Sequence, residues 1–170
     1  MAVAVRKAAS KTRRAASPDV LTLLKMDHKE VDALFKAVEK LSERAFEQRR
    51  KLAEKICEAL KLHSEFEKNT LYPPLQQRAE DHEERAKVLE AFEEHAQVDR
   101  LVAEIPGMDP QDESYEAKLN VLMEDVKHHV KEEERELFPI AKELFEKEEL
   151  VEMGQRLMAE KRRAGMRVHK

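Results

Sequence analysis

The chain has one cysteine (Cys57), no tryptophan, three glycines and six prolines among its 170 residues. A lone thiol excludes an internal disulfide, and it excludes metal sites built on clusters of cysteine, whether structural zinc or iron–sulfur. Such sparing use of cysteine fits a reducing, cytoplasmic setting. No apolar run approaches the roughly 20 residues that span a bilayer, so no membrane association is expected. Aromatic residues make up only 5% of the chain, and the β-branched residues do not gather into strand-like runs. What is abundant is charge: 40% of residues are Asp, Glu, Lys or Arg. That mixture is the material of long amphipathic helices, in a chain of one domain's length.

The net charge of -4 hides an uneven distribution. Residues 1–17 carry five bases (Arg6, Lys7, Lys11, Arg13, Arg14), and residues 161–170 carry five more (Lys161, Arg162, Arg163, Arg167, Lys170), so all 36 acidic residues lie between them. An acidic body argues against nucleic acid as a partner. The ends read as solvated tails: a disordered basic one over 1–17, and over 147–170 a short helix followed by a basic tail.

Between the tails the apolar residues recur at helical spacing. Ser17-Pro18-Asp19 reads as a helix start, with Ser17 as cap and Pro18 in the first turn. Leu21, Leu24, His28, Val31, Phe35 and Val38 then follow at intervals of three and four, the narrow seam of a bundle helix. A second helix carries Leu52, Ile56, Ala59, His63, Glu67 and Thr70 and is expected to end near Tyr72-Pro73-Pro74. A third spans roughly 81–105, with Val88, Phe92, His95, Val98 and Val102, and stops at Ile105-Pro106-Gly107. A fourth carries Leu119, Leu122, Val126, His129, Glu133 and Leu137, with Pro139 expected to kink or restart it. A short fifth helix is expected over 148–163. The fold class is therefore all-α: an antiparallel up-down four-helix bundle over 18–146, with a short C-terminal fifth helix.

Four histidines and two glutamates occupy these apolar seams, one histidine per helix. Burying a polar group costs several kcal/mol unless it is paired or bound to metal, and six such groups in phase ask for a common explanation. An internal repeat supplies it. His28-Lys29-Glu30-Val31-Asp32-Ala33-Leu34 matches His95-Ala96-Gln97-Val98-Asp99-Arg100-Leu101, and His63-xxx-Glu67-xxx-Leu71-Tyr72-Pro73 matches His129-xxx-Glu133-xxx-Leu137-Phe138-Pro139. His28 lies 35 residues before His63, and His95 lies 34 before His129. Two helix pairs related by a pseudo-two-fold axis would bring both His-xxx-Glu elements together, since residues four apart share one helical face. Four imidazoles and two carboxylates suit iron or manganese, and also zinc. The simplest arrangement is two metals, each with two histidines, and two bridging glutamates.

The pattern resembles the hemerythrin family, in its bacterial HHE cation-binding branch, over about residues 18–146. Carried over residue by residue, the family's metal ligands fall on His28, His63, Glu67, His95, His129 and Glu133. The resemblance implies two non-haem iron ions (Fe2+/Fe3+) with an oxo or hydroxo bridge, and dioxygen or another small oxidant as the partner. Oxygen-carrying members have a second histidine four residues away on the third helix. Here the positions four from His95 are Ala91 and Asp99. Their fourth helix also has a longer spacing ending in aspartate. A more symmetric, more open site is expected, one poorly suited to simple oxygen carriage.

His128 competes with His129 as a ligand, but only His129 is in phase with Leu122 and Val126 and matches the repeat. Asp32, Asp99 and Glu94 are candidates for joining the metal shell or for orienting an imidazole. Cys57 reads as a packing thiol, Tyr72 as a cap on the bundle end, and His82 and His169 as solvated. The expected function is to bind or sense oxygen, a related small oxidant, or iron. The alternative is a di-iron enzyme that turns over peroxide or nitric oxide, although no proton-donating group is evident beside the ligands.

Overall fold

The computed structural model describes residues 17–166. The basic segment 1–16 and His169 lie outside the described residues. Seven α-helices follow in order: α1 (Val20–Glu39), α2 (Phe46–Phe66), α3 (Tyr72–Arg78), α4 (His82–Glu104), α5 (Glu113–Glu132), α6 (Phe138–Leu144) and α7 (Lys147–Arg163). One-turn π-helices at Glu67–Leu71 and Glu133–Leu137 join α2 to α3 and α5 to α6, so each of these pairs is one continuous rod. Four rods, α1, α2–α3, α4 and α5–α6, make the antiparallel bundle, and α7 packs on α1 as a fifth.

Aspartates start three of the helices. Asp19 accepts from the Thr22 amide at 2.8 Å, Asp81 from Glu83 at 2.7 Å and Asp112 from Ser114 at 2.8 Å, each satisfying a donor that the first turn leaves free. The cap of the first helix is thus Asp19, not Ser17, and Pro18 precedes the helix instead of opening it. An acceptor two positions further on wins because its carboxylate reaches both the Thr22 amide and the Thr22 hydroxyl.

Pro139 restarts its helix as expected, whereas the Tyr72-Pro73-Pro74 run acts differently from expectation. The second rod does not end at Tyr72-Pro73-Pro74 but runs on to Arg78. A proline ring inside an α-helix clashes with the carbonyl four residues back and lacks a donor. Here the preceding turn widens, with the Tyr72 amide bonding back to the Glu67 carbonyl and that of Phe138 to the Glu133 carbonyl. Pro73 and Pro139 then fall in the first turn of the next α-segment, where no intrahelical donor is needed.

The apolar seams pack into two clusters. One holds Leu24, Phe66, Leu71, Ala91 and Leu137, and the other Val31, Leu60, Val98 and Val126. Along every rod the histidine falls between a member of the first and a member of the second. The fold therefore sandwiches one polar layer between two apolar ones. No described helix is long and apolar enough to cross a membrane.

Candidate metal centre

His28, His63, Glu67, His95, His129 and Glu133 all lie in this layer, none more than 7% exposed. Each glutamate is the first residue of a π-turn, one helical turn after its histidine. Their donor atoms form two groups, His28–His63–Glu67–Glu133 and Glu67–His95–His129, within each of which the atoms lie within 4.8 Å of one another. Glu67 belongs to both. Its Oε2 stands 3.1 Å from His63 Nε2 and 3.2 Å from His95 Nε2, and Glu133 Oε2 stands 3.3 Å from His28 Nε2. The Nε2 atoms of His28 and His63 face each other at 3.2 Å.

These atoms are short of partners. Both carboxylate oxygens of Glu67, Oε2 of Glu133 and Nε2 of His129 are buried without a hydrogen bond. Leaving such groups unpaired in a dry interior is costly. A cation in each group would accept all of them at once, and nitrogen with carboxylate oxygen is a donor set suited to iron, manganese or zinc. The residues present therefore fit a metal pair.

Three of the four far nitrogens are hydrogen bonded from outside. His28 Nδ1 meets Glu134 at 2.8 Å, His129 Nδ1 meets Glu94 at 2.6 Å, and His95 Nδ1 meets the Ser64 hydroxyl at 3.0 Å. Ser64 in turn donates to Asp99 at 2.8 Å, and Lys68 closes that chain on Asp99. His63 Nδ1 faces Asp27 at 3.7 Å, a charge contact longer than a hydrogen bond. Such partners fix which ring nitrogen carries the proton and so aim Nε2 inward. Burial works against charge on Glu67, yet His63 and His95 hold its carboxyl well below the usual range. Burial likewise opposes a charged His63 ring, and the carboxylates of Glu67 and Asp27 still push it up to about 10.

The site is less symmetric than the repeat implies. Glu67 alone is common to both donor groups, while Glu133 turns its Oε1 to accept from the Tyr72 hydroxyl at 2.9 Å. That hydroxyl also lies 3.0 Å from His95 Nε2. Tyr72 is thus fully buried beside the ligands and does not cap the bundle end. Burial, then Glu133 and Glu67, push its phenol well above the ordinary value, so it stays protonated. The signal was present in the repeat, which pairs Tyr72 with Phe138. The same alignment pairs Asp27 with Glu94, the residues just before the two lone histidines.

His129 is buried, whereas the His128 side chain is 65% exposed and faces Glu94 and Glu132 on the surface. Asp32 pairs with Lys36 on the surface and takes no part in the centre. Cys57 is buried in the second apolar cluster, its thiol pushed up to about 11 by burial. His82, the first residue of α4, is exposed.

A cavity of about 20 Å³, room for roughly one water-sized molecule, lies against the four imidazoles and is walled by Leu60, Val31, Val98, Val126 and Val130. His28, Val31, Val126 and Val130 also line an open groove of about 490 Å³ between α1 and α5. Val31, Val126 and Val130 thus stand between the small cavity and the groove, on which His28 itself also borders.

Residues 19–141 match the hemerythrin HHE cation binding domain. The fold is similar to that of a hemerythrin HHE cation binding domain-containing protein from Mycobacterium kansasii, with 23% identity over 86% of each chain and a TM-score of 0.70. Comparison with curated proteins returns no match.

Proposed function

Because the chain belongs to the hemerythrin HHE cation-binding domain family, we propose that His28, His63, Glu67, His95, His129 and Glu133 hold two non-haem irons, and that the protein binds or senses dioxygen, a related small oxidant, or iron itself. One observation carries this reading: Glu67, fully buried with both oxygens unpartnered, stands between two histidine pairs. Iron would supply one-electron redox chemistry and coordination positions open to a small ligand. The chain's own part is to hold three of the four imidazoles by their Nδ1 atoms, to keep water out with two apolar clusters, and to admit small molecules past Val126 and Val130. A single buried thiol accords with a reducing cytoplasm as the place of action.

A second reading, turnover of peroxide or nitric oxide at the same centre, draws support from Tyr72. Its hydroxyl is a proton donor inside the ligand layer, within reach of any molecule lodged between His95 and Glu133. Metal analysis with optical spectra of the reduced protein, before and after exposure to air, tests the first reading. About two irons per chain and a spectral change in air support it, while one metal per chain, or zinc kept against excess ferrous iron, overturns it. Sustained consumption of peroxide over many turnovers would favour the second.

A further inference from the structure

Lysine is almost never fully buried unless paired, yet Lys161 of α7 is only 5% exposed and its Nζ lies against Asp27 Oδ1. Asp27 is itself 7% exposed, and its other oxygen, Oδ2, faces His63 Nδ1 at 3.7 Å. Neither Oδ2 nor that Nδ1 has a hydrogen-bond partner. In the other half of the repeat the equivalent carboxylate, Glu94, bonds His129 Nδ1 directly at 2.6 Å and is reached by the exposed His128. Among the described residues, only the Asp27 half is closed by a lysine from a fifth helix.

That helix is seated firmly. A Cβ on Gly154 would stand 2.6 Å from the Pro18 carbonyl oxygen, so α7 approaches the start of α1 as closely as a residue without a side chain permits. Arg78 bonds Glu149 through both terminal nitrogens, at 2.8 and 2.6 Å, and the Leu144 carbonyl at 3.0 Å. Leu150 and Leu157 are buried in the first apolar cluster. Helix α7 lies beyond residue 141, where the family match ends.

We propose that Lys161 is a positioning residue of the metal centre: from α7 it anchors Asp27 against His63 Nδ1, orients that one imidazole, and so makes the affinity of the His28–His63 half depend on the seating of the fifth helix. The proposal rests on the metal-centre reading above. Its geometry confines the effect to one half, because His95 and His129 are oriented instead by Ser64 of α2 and Glu94 of α4. Partners of this kind are worth about 10- to 100-fold in metal affinity.

The test is titration of the full chain with cobalt(II), read by its visible spectrum and by competition with a chelator, in the unaltered protein, Lys161→Met, Lys161→Arg, Asp27→Asn and the Lys161→Met/Asp27→Asn double variant. The expected result is that Lys161→Met weakens one of two cobalt ions by about 10- to 100-fold and leaves the other within about twofold. Lys161→Arg should restore most of the loss. The double variant should match Asp27→Asn alone, because the lysine acts through the aspartate. If Lys161→Met is too unstable to titrate, the double variant, which buries no unpaired charge, is compared directly with the unaltered protein, and the same loss at one cobalt ion alone is expected. Equal weakening of both ions, additive losses, or unchanged affinity overturns the proposal while leaving the metal centre standing. No cobalt bound by the unaltered protein overturns both.

Discussion

Tyr72 and Phe138 occupy equivalent places in the two repeats, yet the Tyr72 hydroxyl lies 3.0 Å from His95 Nε2 while the Phe138 ring stacks on His28, with centroids 5.9 Å apart and planes within 10°. One half of the centre is wetted by a phenol and the other is sealed by a hydrocarbon ring. Tyr72→Phe makes the halves alike and strips Glu133 Oε1 of its donor. Without metal the variant should lose about 1–3 kcal/mol of stability, visible as a lower melting temperature. If Tyr72 passes a proton during peroxide turnover, that rate should fall by about 10²- to 10⁴-fold with metal content unchanged. A lower melting temperature with unchanged turnover would make the hydroxyl purely structural.

Metal should stabilise the fold, because Glu67 and Glu133 bury oxygens that no described residue satisfies. At free metal 100 times its dissociation constant the gain is about 2.7 kcal/mol for each metal bound. For a chain of this size that corresponds to a rise of about 5–11 °C in melting temperature. Scanning calorimetry with and without metal measures it, and superimposable traces would mean the centre contributes nothing to stability.

His128 and His129 should separate cleanly. His129→Ala should weaken one metal by more than about 100-fold, beyond the range of an outer partner, whereas His128→Ala should bind both metals normally. Metal lost from His128→Ala and kept by His129→Ala would turn α5 by about 100° from the orientation described.

Binding should release protons. With no metal on it, the His63 ring is held up to about 10 by Glu67 and Asp27, against an ordinary value of 6.5. Its protonation therefore stabilises the metal-free fold fully below 6.5, and this contribution is lost as pH rises through about 10. A metal must displace that proton, so affinity should climb by up to about tenfold per pH unit across pH 6.5–8.5 for each proton displaced. Indicator measurements at about pH 8 should show at least one proton released per chain, and His63→Asn should lower the release by about one. An unchanged release in that variant would assign the proton to another group.

The bundle was legible because its seams repeat at three and four residues, as with Leu21, Leu24, His28 and Val31, and because a histidine in such a seam is conspicuous. The repeat brought the six polar residues together before any contact was known. The widened turns were not legible. Proline after a helical run reads as a stop, and only packing on both sides of Pro73 makes an extra turn cheaper than an end. Lys161 was hidden for another reason: in a run with Arg162 and Arg163 it looks like a solvated tail, and its partner Asp27 is 134 residues away. Ser64 and Glu134 gave no signal either, since single polar residues beside a seam are common on helix surfaces.

The two π-turns make chain length as critical as side-chain identity. Each carries one residue more than an α-turn would, so the rod beyond it is rotated by about 100° from where an unbroken helix would leave it. Asn69 and Thr70 are replaceable by many residues at little cost, but removing either one would turn Tyr72 out of the ligand layer and swing Leu75 off its cluster. The same deletion arithmetic holds at Arg135 and Glu136 for Phe138. Between each glutamate and the proline that follows it, the protein keeps count.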